Sequence, residues 1–153
     1  MEKSINESFV EVINYFTDSL KIDNLSKYDY SSLSLALMGD AIYDLFIRYY
    51  VMSFGDDKVN NIHGKKSFFV KAKSQAQFID YYKDQLTEEE YEVYRRGRNK
   101  KSNTAAKNST IVEYRKSTGF EALLGYLFIK NDYQRIITII DESIKFQRGN
   151  RGK

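Results

Sequence analysis

Apolar residues recur at helical spacing along almost the whole of this 153-residue chain, and that pattern points to an all-α fold. Ile5, Phe9, Val12, Ile13, Phe16 and Leu20 follow the capping-box spacing Ser4-Ile5-Asn6-Glu7, which predicts a first helix. After a polar stretch at residues 21–30, Ser31 or Ser32 caps a long second helix running to about Met52, and Phe54-Gly55-Asp56-Asp57 ends it. Residues 60–86 hold a third and a fourth helix, with Phe68, Phe69, Phe78, Ile79 and Tyr82 as core candidates. Thr87-Glu88-Glu89-Glu90 repeats the capping box and opens a helix to about Arg96. Residues 97–108 carry no large apolar side chain and read as a loop. Ser117 or Thr118 then starts an apolar helix to about Ile129, and residues 132–146 form the last one. Within that last segment Ile136-Ile137-Thr138-Ile139-Ile140 would favour a strand by propensity alone. Tyr133, Ile136, Ile137, Ile140 and Ile144 nevertheless share one helical face, and no partner strand is apparent. The expected organisation is an N-terminal helix and linker at 1–30, one all-α domain at 31–147, and a basic tail at 148–153.

What chemistry such a bundle can carry is limited by its composition. There is no cysteine, which removes disulfides, thiolate nucleophiles and cysteine-based metal centres. His63 is the only histidine, so paired imidazoles are excluded within one chain. An enzyme built from this sequence rests on Asp, Glu, Lys, Arg, Tyr and a hard metal ion. The N-terminus mixes charges from its second residue, and the longest apolar stretch, residues 122–129, is far short of a membrane span. A cytoplasmic protein without membrane contact is the expectation.

Charge is distributed unevenly. Against a net +3, residues 58–116 hold 14 basic and 7 acidic side chains. That segment is either a patch for a polyanion or a solvated lysine-rich face. Two acidic residues interrupt apolar helical stretches. Asp40 lies in Leu35-Ala36-Leu37-Met38-Gly39-Asp40-Ala41-Ile42, where Gly39 costs helix stability and suggests close approach by another backbone. Asp44 and Arg48 follow at steps of four, so Asp40 reads either as a site residue or as one end of an exposed stripe. Glu121 lies in Phe120-Glu121-Ala122-Leu123-Leu124-Gly125-Tyr126, and Thr118-Gly119-Phe120-Glu121 is also a capping-box pattern. An all-α nucleotide pyrophosphatase would need clustered acids, and the only dense run, Glu88-Glu89-Glu90 with Glu92, stands at a helix start where acids favour the dipole.

Taken together the two stretches resemble the ribonuclease III family. Gly39-Asp40 matches the Gly-Asp of its signature helix, while Glu121-Ala122 and Gly125 match its second acidic motif. Leu33, Ala36 and Thr118 stand where that signature has carboxylates, and with only seven residues after Phe146 no double-stranded-RNA-binding domain is expected. These departures resemble the Mini-ribonuclease III subfamily, from about Ser32 to Phe146. The further motifs are His63-Gly64-Lys65-Lys66-Ser67, Ala72-Lys73-Ser74-Gln75-Ala76 and Arg96-Gly97-Arg98-Asn99 followed by Lys101-Ser102. Residues 1–30 match poorly and read as an extra N-terminal helix.

The resemblance implies a ribonuclease III endonuclease-like helical fold that works as a homodimer, with the signature helix at the subunit interface and Leu37, Met38 and Ile42 expected there. It implies a Mg²⁺-dependent endoribonuclease that cuts double-stranded RNA and matures the large-subunit (23S) ribosomal RNA precursor, with a ribosomal protein as a conceivable accessory partner. Asp40 and Glu121 become the expected catalytic residues and metal ligands. Lys65, Lys66, Lys71, Lys73, Arg95, Arg96, Arg98, Asn99, Lys100, Lys101, Ser102 and Lys107 become the expected RNA contacts. The departures at Leu33, Ala36 and Thr118 leave a second expectation open, a duplex-RNA-binding module without catalysis.

Overall fold

Four of the helices begin where a serine or threonine hydroxyl satisfies a backbone N–H that the helix itself leaves unpaired. The structure, a computed structural model, describes residues 2–101 and 109–150. The first helix, α1 (Ile5–Leu20), opens on Ser4, whose hydroxyl accepts from the Glu7 N–H at 3.1 Å while Glu7 accepts from the Ser4 N–H. A short 3-10 turn at Leu25–Lys27 leads to α2 (Ser32–Met52), capped by Ser31. Helices α3 (Val59–Val70) and α4 (Ala72–Tyr82) follow. A second 3-10 turn then precedes α5 (Glu88–Asn99), opened by the Thr87–Glu90 capping box. The chain ends in α6 (Ile111–Ile129) and α7 (Tyr133–Asn150). Among the described residues there is no strand, and no helix is long and apolar enough to cross a membrane.

Helix α6 is the axis of the bundle. Phe120, Leu123 and Leu124 are fully buried on it, and α2, α5 and α4 pack around it, with α7 closing the core through Ile136, Ile139 and Ile140. Each such side chain contributes about 1.5–3 kcal/mol by leaving water. Helix α1 lies outside this core and buries no residue. It is held by Phe9, which stacks on Tyr133 at 4.2 Å, and by Asn6, whose Oδ1 accepts from the Gln134 N–H at 2.8 Å. Between α1 and the body lies an apolar cavity of about 290 Å³, bordered by Ile13, Phe16, Met38 and Phe128.

Several boundaries differ from the sequence-based expectation, each for a packing reason. Helix α5 continues through Arg98 and Asn99, because Gly97 is a contact point rather than a break. A Cβ there would lie 2.9 Å from the Gly119 Cα on α6. Helix α6 starts at Ile111 instead of near Ser117, since Thr110 and Glu113 form a third capping box upstream. Helix α7 continues to Asn150, with buried Gln147 donating to the Ser74 carbonyl at 2.7 Å, so residues 148–150 are helical. Residues 151–153, together with the expected RNA contacts Ser102 and Lys107, lie outside the described residues. On the isoleucine-rich face Ile139 is buried and Ile137 is exposed. Of Leu37, Met38 and Ile42, only Leu37 faces outward, 76% exposed. Ile42 is buried in the chain's own core, and Met38 packs against it.

The dense acid run is structural. Glu90 caps Thr87 and also receives Arg135, at 2.9 and 3.0 Å, and the same guanidinium reaches the Tyr82 hydroxyl and the Gln85 carbonyl. This network ties the start of α5 to α7. Burial opposes ionisation of Glu90, yet Arg135 and the Thr87 N–H hold its carboxyl below the usual range.

Candidate active site

The two acidic residues singled out in the sequence meet where α2 crosses α6. A Cβ on Gly39 would stand 1.7 Å from the Glu121 carbonyl oxygen, and one on Gly125 would stand 1.9 Å from the Leu35 carbonyl oxygen. Both contacts are with main chain that has nowhere to move, so the crossing requires glycine on each helix. The close backbone approach expected at Gly39 is thus present, and it places Asp40 beside Glu121.

Asp40 is exposed, whereas Glu121 is largely screened from solvent. Burial, followed by the hydrogen bond and negative charge of Asp40, pushes the Glu121 carboxyl up to about 9. The Glu121 carboxyl therefore keeps its proton well above the usual carboxylate range unless a cation relieves it.

Glu121 has no capping role. It lies nearly three turns into α6. Thr118 is mid-helix, with its hydroxyl donating to the Tyr114 carbonyl at 3.0 Å. The capping alternative therefore fails, because the true cap is at Thr110.

Gln75, in the motif at residues 72–76 on α4, carries no local pattern that marks it as a site residue. Its side chain is buried beside the pair and hydrogen-bonds the Glu121 carboxylate, which draws that carboxyl back down. Gln75 Oε1 accepts from the Ser117 hydroxyl at 2.7 Å, and Nε2 donates to the Val70 carbonyl at 3.0 Å. Polar residues on otherwise inward helical faces are the signal that would have found both Gln75 and Ser117.

Asp44, one turn beyond Asp40, is occupied by cations. Lys66 Nζ lies 2.9 Å from it, and Arg48 pairs with it along α2. Although burial opposes it, these two partners hold Asp44 below the usual carboxylate range. Lys66 is itself buried, so the structure presents it as a counter-ion of Asp44.

The other expected RNA contacts fall into two groups. Around α3 and α4, Lys65 pairs with Asp57 at 3.2 Å, Lys71 lies over the Phe68 ring, and Lys73 is exposed. On the second half of α5, Arg95 pairs with Glu92 and Arg98 lies 5.5 Å from the Tyr94 ring centroid. Arg96, Asn99, Lys100 and Lys101 are exposed in that group. His63 is exposed on α3 and joins neither carboxylate.

The donor set suits a hard divalent ion. It consists of two carboxylates, one of which pays an electrostatic penalty that a cation would relieve. Among the described residues no third His, Asp or Glu completes a metal-binding group. Ala36 is buried and the Thr118 hydroxyl is spent on its own helix, so neither adds a ligand.

Comparison with known proteins covers this same region. The Ribonuclease III domain profile matches residues 33–132, which include both Asp40 and Glu121. The Mini-ribonuclease 3 of Clostridium tetani is 44% identical over 128 residues, covering 78% of this chain and 85% of that protein. The Mini-ribonuclease 3 of Enterococcus faecalis is 44% identical over 117 residues, covering 75% and 89%. A crystal structure of a Fusobacterium nucleatum protein superposes with a TM-score of 0.71 at 33% identity, covering 78% of this chain and 95% of that one. Helix α1 precedes the profile match.

Proposed function

The chain belongs to the Mini-ribonuclease 3 branch of the ribonuclease III family, and we propose that it is a divalent-metal-dependent endonuclease for double-stranded RNA, acting as a homodimer. The observation that carries this reading is the convergence of Asp40 and Glu121 at the Gly39–Gly125 crossing. These two carboxylates would hold Mg²⁺. When bound, such an ion supplies charge relief on a phosphodiester and activation of water.

The chain's own residues do the rest. Asp40 offers its oxygens from the solvent side, and Glu121 closes the site from within. Glu121 must release its proton to take up the ion, so cation uptake and proton loss are coupled. The exposed cations Arg96, Lys100 and Lys101, with Lys71 and Lys73, suit the phosphates of an A-form duplex. Lys66 drops out of that set because it neutralises Asp44.

Dimerisation is supported by the outward side of α2. Leu33, Leu37, Leu45, Tyr49 and Met52 stand exposed there, an apolar surface suited to a second copy. A folded precursor of large-subunit ribosomal RNA is the substrate suggested by the resemblance, with a ribosomal protein as a candidate accessory and the cytoplasm as the place.

Incubation of duplex RNA with the protein, with and without Mg²⁺, tests the reading. Cleavage of both strands only when Mg²⁺ is present is the expected result. Duplex binding with no cleavage under either condition would reject it and leave a binding module.

A further inference from the structure

We propose that the cavity between the stretch leading into α2, the middle of α5 and the end of α6 receives one unpaired nucleotide of RNA. Its base would stack on tyrosine, and its phosphate would meet Arg96. The inference rests on the RNA-binding reading given above. The cavity holds about 470 Å³, and Tyr28, Asp29, Tyr30, Arg96 and Tyr126 are among the residues that line it. That volume falls within the range of about 300–1,000 Å³ usual for small-molecule sites.

Two of the three rings come from extended chain. Tyr28 has φ −121° and ψ 153°, and residues two apart in such backbone turn to the same side, which brings Tyr28 and Tyr30 to one wall. Their ring centroids stand 6.4 Å apart, edge to face. Tyr28 is 57% exposed, so core packing does not account for its ring. The third ring is anchored. The Tyr126 hydroxyl donates to Glu89, and Lys130 Nζ lies 5.4 Å from the ring centroid. Lys27 Nζ lies 5.7 Å from the Tyr28 centroid. Aromatic faces with cations beside them suit an unpaired nucleotide, which brings a π-face to stack and a backbone charge to neutralise.

Arg96 supplies the cation on α5. Glu92 gives its close contact to Arg95, at 2.6 Å, and stands 4.0 Å from Arg96, so the exposed Arg96 guanidinium keeps donors for a phosphate. Asp29 works against a purely anionic ligand. Its carboxylate repels phosphate and accepts from the N–H groups of a base edge, so the mixed lining fits a nucleotide better than a free phosphate.

A base within a duplex is already stacked and paired, and only an unpaired one can enter. The pocket also adjoins the carboxylate pair. Leu35, another lining residue, stands five residues before Asp40, and Tyr126 five after Glu121, about 7.5 Å along either helix. A strand that reaches the pair therefore runs close to the pocket. Tyr28 and Tyr30 precede residues 33–132, so this wall lies outside the region matched by the Ribonuclease III domain profile.

The test compares two RNAs on the full chain, with EDTA present so that neither is cut. One is a fully paired duplex, and the other carries a single unpaired 2-aminopurine nucleotide at its centre. Wild type should bind the second about tenfold more tightly and quench its fluorescence, as stacking on an aromatic ring does. Tyr28→Ala and Tyr30→Ala should lose both the preference and the quenching, with affinity for the paired duplex unchanged. Tyr28→Phe keeps the ring and should behave as wild type. Equal affinity of wild type for the two RNAs would overturn the proposal, and so would a preference that survives in Tyr28→Ala. Should Tyr30→Ala fail to fold, Tyr28→Ala decides, since its ring is exposed. A change in sedimentation with no change in either RNA affinity would assign these tyrosines to contact between copies and overturn the pocket. Failure of wild type to bind either RNA would sink the RNA reading itself.

Discussion

Helices α1 and α6 open with the same kind of capping box, yet they have opposite fates. Helix α1 buries no residue, while α6 buries nine and forms the axis of the bundle. The difference lies in what surrounds the apolar stripe. In α1, Glu7, Glu11 and Asp18 occupy the remaining faces and stay in water. In α6 the apolar and small residues run all round, as expected of an enclosed helix. An acid on α1 therefore costs nothing, whereas the acid on α6 is held under electrostatic tension by its surroundings. Depth, more than helix identity, decides which carboxylate carries that tension.

The sharpest way to break this contrast is to add one carbon where α6 touches α2. Gly125→Ala drives a methyl group into the Leu35 carbonyl and should cost more than about 4 kcal/mol, leaving little folded protein by circular dichroism. Ser8→Ala, on an exposed face of α1, should stay within about 0.5 kcal/mol.

Asp40→Asn comes next. Turnover on duplex RNA should fall at least about a hundredfold, equivalent to about 2.7 kcal/mol, with duplex binding retained in a gel-shift assay. Turnover like wild type would place the chemistry elsewhere.

Glu121→Gln sharpens the comparison through pH. In the folded chain this carboxyl is raised to about 9, and in the unfolded chain it titrates near about 4.3. Between those values the folded state binds more protons, so stability without metal declines as pH rises. Glu121→Gln should remove that decline, giving melting temperatures that fall less from pH 5 to pH 9 than those of wild type. Parallel curves for the two proteins would show that Glu121 is ionised without cost.

The smallest effect belongs to α1. Deleting residues 2–20 exposes Phe128 and Tyr133 and should lower stability by about 1–3 kcal/mol in urea unfolding. Turnover should stay within about twofold.

Much of this was legible in the residues. Ser4, Ser31 and Thr87 mark helix starts because a side chain that accepts from a backbone N–H is a local device, readable without the fold. Gly39 announced a close approach because a glycine inside an apolar helix has few other reasons to be there. The start of α6 was misplaced because two capping spacings, Thr110–Glu113 and Thr118–Glu121, compete within one stretch, and only burial against α4 and α5 decides between them. The partner of Lys66 was hidden for a similar reason. Its ammonium is drawn inward by Asp44 from another helix, a pairing that no local pattern encodes. Gln75 meets Ser117 from 42 residues away, beyond the reach of periodicity.

The glycine crossing also bears on how freely this chain can be re-engineered. The placement of the two carboxylates is set by main chain against main chain, not by the shape of the side chains around it. Substitutions in the core away from this crossing and from Gln75 and Ser117 can therefore accumulate without retuning the site. The cavity beneath α1 is the natural place to begin: larger side chains at Ile13 or Met38 would fill it and raise heat tolerance while the spacing of the two carboxylates stays as it is.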